Sequence, residues 1–225
     1  MNTAFLTDIV LFRGMTASEA ESILRCLDAE KKRFDRGSVI FRAGDTITSM
    51  GVVLSGGVSI EYDDVWGNKS ILDKVGPGQV FGETYACAPG EPLMISAVAA
   101  ETAEILFLNV GRMLTVCTNA CEFHGKLIRN LLAISAEKNL RLSRRIFHTS
   151  SKTIRGRLLS YLSYQAKLNG SRDFEIAFNR QQLADYLSVD RSAMSNELSK
   201  MQRDGLIRVE RGRFSLIVMD GEEDL

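Results

Sequence analysis

The segment NRQQLADYLSVDRSAMSNELSKMQRDGLI, residues 179–207, constrains the fold more tightly than any other part of the chain. Leu183, Ala184 and Leu187 give its first half one apolar helical face, and Ala184 is small where two helices must approach closely. Val189 plugs the turn and Asp190 is placed to cap the second helix. Met194, Leu198 and Met201 then face inward at spacings of four and three. Two short helices joined by a tight turn satisfy this pattern, which is that of a helix-turn-helix.

The outer face of the second helix is left with Arg191, Ser192, Ser195, Asn196, Ser199 and Lys200, hydrogen-bonding side chains without bulky apolar groups. They gather toward the helix N-terminus, where a recognition helix meets base edges in the major groove. Arg191 suits the paired contact to guanine O6 and N7, Asn196 the matching one to adenine N6 and N7, and Ser192 and Ser195 suit phosphates or bases. An ordinary helical hairpin with a solvated polar face would look similar. The next residues in the chain weigh against it: LIRV, ERGR and FSLIV read as a β-hairpin whose tip carries Arg211 and Arg213, a basic wing placed for phosphates.

Upstream the texture differs. Thr16 and Glu19 form a plausible capping box for a helix whose Ala20, Ile23, Leu24 and Leu27 share one face. From Phe34 to Leu108, short apolar runs punctuated by glycine predict an all-β sandwich or barrel. After Gly111 a helical period runs for about 35 residues. Phe123, Leu127, Leu131 and Ile134 form one stripe, with Ile128, Leu132, Leu142 and Ile146 on the flanking face. Two stripes fit a helix that packs on the β-domain and on a partner helix, making a homodimer, although Asn130, Lys138 and Arg141 interrupt any strict heptad. The polar break at 149–152 offers Ser150 or Ser151 as N-cap for a helix from Thr153 to Leu168, which Asn169-Gly170 would end.

The net charge of zero conceals an asymmetry: residues 1–111 hold 9 basic and 15 acidic side chains, residues 112–225 hold 19 and 13. One half repels polyanions and the other attracts them, as expected of two domains with different partners. No apolar run approaches the roughly 18 residues of a membrane span, and the first 20 residues lack a signal-peptide core, so a cytoplasmic protein without a membrane partner is expected. Four cysteines do not make a disulfide framework. No histidine precedes His124 to build a β-roll metal site, and no nucleophile–base pattern or phosphate-binding loop points to an enzyme.

In this order the pieces resemble the CRP/FNR superfamily of bacterial transcription regulators over essentially the full length. GSVIFRAGD and VLSGGVSI are similar to early strands of the cyclic-nucleotide-binding β-roll, and GPGQVFGE to the start of its phosphate cassette. The resemblance implies an α+β protein: a jelly-roll or β-roll sensor at 1–111, a dimerisation helix at 112–148 and a winged helix-turn-helix at 149–225. It implies an effector-controlled homodimer on a two-fold symmetric promoter in double-stranded DNA, with RNA polymerase as a further partner. The family's base-reading positions fall on Arg191, Ser192, Ser195 and Asn196; many members have a second arginine where this chain has Asn196, so its half-site would differ. Arg180, Ser199, Lys200, Arg211 and Arg213 complete the candidate DNA-binding set.

The implied effector pocket comprises Phe81, Gly82, Glu83, Cys87, Met94, Ile95 and Ser96 with Leu127 and Leu131 of the long helix. Cyclic-nucleotide-binding members follow FGE with an Arg-Ser/Thr-Ala triplet whose arginine pairs with the phosphate. Here Met94-Ile95-Ser96 or Ile95-Ser96-Ala97 stands in that place, and 44–111 contains no arginine. A buried phosphate without a charged partner costs several kcal/mol, which argues against cyclic AMP or cyclic GMP. Glu83 then reads as a structural residue. Too few cysteines cluster for an iron–sulfur centre, and Cys117 with Cys121 reads as two packed thiols rather than a redox pair. Haem, as in nitric oxide or carbon monoxide sensors, stays open, with His124, Cys87, Met94 and Cys117 as candidate ligands, as does an apolar or neutral small molecule. The alternative of another class is a cyclic-nucleotide-binding regulatory module of an enzyme.

Overall fold

The computed structural model describes residues 4–64, 66, 69–115, 122–210 and 212–217; Cys117, Cys121 and Arg211 lie outside the described residues. The chain forms two compact units, Met1–Ala136 and Glu137–Leu225.

The first unit opens with α1 (Ala4–Asp8), a 3-10 turn at Val10–Phe12 and α2 (Ala17–Cys26). The predicted capping box is present: Glu19 N donates to the Thr16 hydroxyl at 3.2 Å and Thr16 N to Glu19 Oε2 at 2.6 Å. Eight strands follow: β1 (Glu30–Phe34), β2 (Val39–Phe41), β3 (Ser49–Ser55), β4 (Val58–Asp63), β5 (Lys69–Val75), β6 (Val80–Phe81), β7 (Ser96–Ala99) and β8 (Ala103–Asn109). They pair antiparallel as two four-stranded sheets, β1-β8-β3-β6 and β2-β7-β4-β5. The helix α3 (Glu83–Ala86) lies between β6 and β7. β1, with the sequence EKKRF, was not predicted. It is an edge strand with four of five residues exposed, so no apolar alternation marks it, and cross-strand contacts tie it to β8: Lys31 to Glu104 at 2.8 Å, and Lys32 over the Phe107 ring.

Val53, Val58, Val75, Phe81, Ala97, Ala103 and Ile105 form the core of this roll, with Phe34, Phe41 and Phe107 packed against them. The four rings meet edge-on or tilted, Phe41 lying 5.5 Å from Phe81 and 5.7 Å from Phe107. Two glycines make room for them. A Cβ on Gly51 would lie 2.4 Å from the Phe81 ring, and one on Gly82, where φ is +75°, would lie 2.9 Å from the Phe41 ring. Gly51→Ala therefore overpacks the roll. It is expected to cost about 1–3 kcal/mol, read as a lower urea midpoint at unchanged slope; an unchanged midpoint would show that Phe81 yields freely.

The helical run expected from 112 is broken. Asn109 caps only the five-residue α4 (Val110–Leu114), which ends at the extended Thr115, whose hydroxyl donates to the Arg112 carbonyl at 3.1 Å. The long helix α5 is Glu122–Thr149. In the first unit its Leu127 and Leu131 are buried with Leu6, Phe12 and Met50, and Phe123, Ile128 and Ile134 pack against them, so Ile128 joins the buried stripe rather than the flanking face. Asn130 has its own role there: Nδ2 donates to the carbonyls of Leu11 and Arg13, each at 2.9 Å.

The second unit holds the end of α5, then α6 (Ile154–Asn169), β9 (Asp173–Glu175), α7 (Arg180–Leu187), α8 (Arg191–Arg203), β10 (Ile207–Glu210) and β11 (Arg213–Leu216). Thr153 caps α6, not Ser150 or Ser151. Only the residue directly before the first turn reaches the third amide, and Thr153 Oγ1 accepts from Gly156 N at 3.0 Å. Gly170, at φ +59°, stops the helix as expected. Leu158, Leu162, Leu183, Ala184, Leu187, Met194, Leu198, Met201, Ile207 and Phe214 build one core. The predicted hairpin is part of a three-stranded sheet, β10-β11-β9.

His148, near the carboxyl end of α5, is 1% exposed. Its Nδ1 is 3.0 Å from Ser160 Oγ, and its ring lies against Tyr161, Tyr164 and Tyr186. Burial holds the imidazole below its ordinary pKa and pushes the Tyr161 hydroxyl up to about 12. The unfolded chain therefore takes up the His148 proton first as pH falls through about 6.5, and stability present above that pH is lost below it. The second unit is expected to melt at a lower temperature at about pH 5.5 than at 7.5, and His148→Gln to flatten that dependence. An equal pH slope in the two proteins would refute the assignment.

Candidate functional site

In α8 the apolar face formed by Met194, Leu198 and Met201 is buried, which turns Arg191, Ser192, Asn196, Ser199 and Lys200 outward. Asp190 caps the helix by accepting from Ala193 N at 2.8 Å, and Ser192 Oγ donates to the same carboxylate at 2.5 Å. These bonds hold the Asp190 carboxyl below its usual range. Ser195 and Ser199 donate to the carbonyls four residues earlier, at 2.9 and 3.1 Å. With their hydroxyl protons so engaged, exposed Ser192 and Ser199 offer acceptor oxygens, Ser195 is half-buried, and Arg191, Asn196 and Lys200 are the exposed donors of the face. The far end of α8 is tied to α6: Arg155 Nε lies 2.6 Å from Glu197 and Nη2 2.7 Å from Asp204.

Arg180, the first residue of α7, sits partly buried with its guanidinium 5.4 Å from the Phe214 ring centroid, and its Nη1 has no hydrogen-bond partner among the described residues. Burial lowers its pKa from the ordinary arginine value. Arg213 opens β11 and lies in a shallow cleft with Asp173, Glu210, Ser215 and Arg208. Arg208, which no sequence motif marks, alternates with buried Ile207 on β10 and so belongs to the solvent face of the wing.

The candidate effector residues divide between two clusters. Phe81 lies in the roll with Phe41, while Leu127 and Leu131 pack on the N-terminal helices. Glu83 is 4% exposed at the start of α3, and Met94 is 70% exposed with its N–H donating to Tyr85 at 3.4 Å. Ile95 is half-buried, and Ser96 Oγ accepts from Ala43 N at 3.0 Å, tying the loop after β2 to β7. Cys87 is exposed, and partial desolvation together with the nearby Glu83 carboxylate pushes its thiol up. His124 is buried near the start of α5. Among the described residues no group of three or more His, Cys, Asp or Glu could hold a metal ion. A cleft of about 640 Å³ on the roll lies elsewhere, lined by Arg36, Ser59, Glu61, Lys74, Glu101 and glycine-rich turns.

Two family models match the chain: a cyclic nucleotide-binding domain over residues 31–120 and a Crp-like helix-turn-helix domain over residues 156–223. The transcriptional regulatory protein btr of Bordetella pertussis is 24% identical over 94% of this chain and 87% of its own length. A CRP-like cAMP-activated global transcriptional regulator of Mycobacterium tuberculosis is 22% identical over 94% and 93%. The crystal structure of the Thermus thermophilus catabolite activator protein superposes with a TM-score of 0.52 at 25% identity, covering 92% of this chain and 93% of that one. A β-roll, a long helix and a Crp-like helix-turn-helix, in this order, define a DNA-binding transcription regulator. The chain belongs to the CRP/FNR superfamily of transcription regulators. Among its described residues no helix is long and apolar enough to cross a membrane.

Proposed function

We propose that this regulator binds a two-fold symmetric promoter site as a homodimer and responds to an effector other than a cyclic nucleotide. The observation that carries the DNA reading is the outward face of α8, where Arg191 and Asn196 stand exposed on a helix fixed by Asp190 and Arg155. Arg191, Asn196, Ser192 and Ser195 read bases, Ser199 and Lys200 support them, and Arg180 and Arg213 hold phosphates. Residues 1–111 sense, 112–148 dimerise and 149–225 bind DNA, and RNA polymerase is the further partner.

The dimer reading rests on α5. Leu132, Leu140, Leu142, Ile146 and Phe147 are 55–68% exposed, a row of large apolar side chains that a second copy of the helix would cover. The effector reading rests on Met94, Ile95 and Ser96, none of which supplies a cation to pair with a phosphate. A cyclic phosphate held there would lack a charged partner, which favours an apolar or neutral small molecule as the effector.

DNA selected from a random duplex pool should carry an inverted repeat with half-site centres about 34 Å apart. A selected sequence without two-fold symmetry would overturn the dimer reading. Adding cyclic AMP should leave affinity for that DNA unchanged, and a Soret band in the freshly purified protein would replace the small-molecule reading with haem.

A further inference from the structure

The carboxyl end of α7 carries an unusual load. The last carbonyls of any helix lack intrahelical partners, and here the helix ends at Ser188 in the left-handed region, φ +53°, ψ +53°, a conformation that glycine adopts cheaply and serine does not. Two guanidinium groups from outside the helix-turn-helix take all four carbonyls at this end. Arg145 of α5 donates to Asp185 O at 3.1 Å and to Tyr186 O at 3.2 Å, with Ser188 Oγ at 3.5 Å. Arg157 of α6 donates to Leu187 O at 3.0 Å and Ser188 O at 2.9 Å, and its Nε to Ser151 O at 2.8 Å. Cations at a helix carboxyl end also oppose the helix dipole favourably. Buried His148, one turn along α5, fixes the end from which Arg145 reaches.

We infer that Arg145 is a positioning residue for sequence readout: it holds the strained turn at Ser188 and thereby sets the angle at which α8 leaves it. Val189 and Asp190 alone separate Ser188 from the first residue of α8, so a change of backbone angle at Ser188 swings the whole recognition helix. Arg145 lies between Leu142 and Ile146, so the turn of α5 that holds the clamp also carries the proposed dimer seam. Seating a partner there and aiming α8 are therefore mechanically linked within this unit. The inference rests on α8 being the base-reading helix.

The test compares Arg145→Ala, Arg145→Lys and the double change Arg145→Ala with Ser188→Gly. Each is measured against a duplex selected from a random pool and against random duplex, across a salt series. Arg145→Ala should weaken binding to the selected duplex roughly 3- to 30-fold while random-duplex affinity and the salt slope stay as in the native protein. Arg145→Lys, which keeps the charge but reaches one carbonyl at a time, should fall between. Ser188→Gly should restore most of the loss, because glycine holds the left-handed turn unaided. Equal loss on both duplexes with a flatter salt slope would make Arg145 a phosphate contact and overturn the inference. So would no loss, absence of rescue by Ser188→Gly, or loss of helical signal in both single variants. Failure of the underlying reading looks different: Arg191→Ala would then leave discrimination between the duplexes intact in the same assay.

Discussion

Arg191→Ala is expected to erase most of the distinction between the selected operator and random DNA while leaving the dimer and its salt-dependent binding in place. The guanidinium is exposed at the first position of α8, and the fold beneath it depends on Met194, Leu198 and Met201, so truncation leaves the scaffold untouched. One bidentate contact to guanine is worth about 1–3 kcal/mol of discrimination. A symmetric dimer makes it twice, and the loss is roughly 30-fold to more than 10,000-fold in specific affinity. Competition binding with selected and random duplexes reads this directly. Undiminished discrimination would remove α8 from the role of reader.

The second large effect concerns α5. Changing Leu142 and Ile146 together to glutamate places two carboxylates four residues apart on the exposed apolar row, where each would face its counterpart across a two-fold seam. Burial of charge without a partner outweighs the packing available there, so light scattering should show a monomer. Each monomer would then hold a half-site alone and forfeit the avidity of linked binding, a factor of about 100 or more in affinity. A variant that remains dimeric would place the seam on another surface. A monomer that binds the full site as tightly as the native protein would refute the need for a dimer.

How far such expectations reach from sequence depends on whether local signals agree. In residues 179–207 the helical period, the Asp190 cap and small Ala184 all specify one arrangement, and each is found in place. β1 was illegible because a charged edge strand buries too little to leave a pattern, and three-residue β9 is too short to leave one. The start of α5 was misjudged because periodicity persists through Thr115, whose backbone turns extended under a local hydroxyl bond. Asn130 looked like an interruption of a dimer seam and instead serves the chain's own N-terminal turns. Arg145 and Arg157 could not have been identified from sequence, because their partners are backbone carbonyls some 30 to 40 residues away, which any sequence could supply.

The ring cluster of Phe34, Phe41, Phe81 and Phe107 also bears on how fast a sensor of this kind can answer. The space beside Gly51 and Gly82 is taken up by those rings, so a guest entering between them would have to wait for Phe41 or Phe81 to swing aside. Apparent affinity is then scaled down by the fraction of time the roll stands open. Past a certain concentration, more effector would no longer hasten the response, and the rings themselves would set its pace.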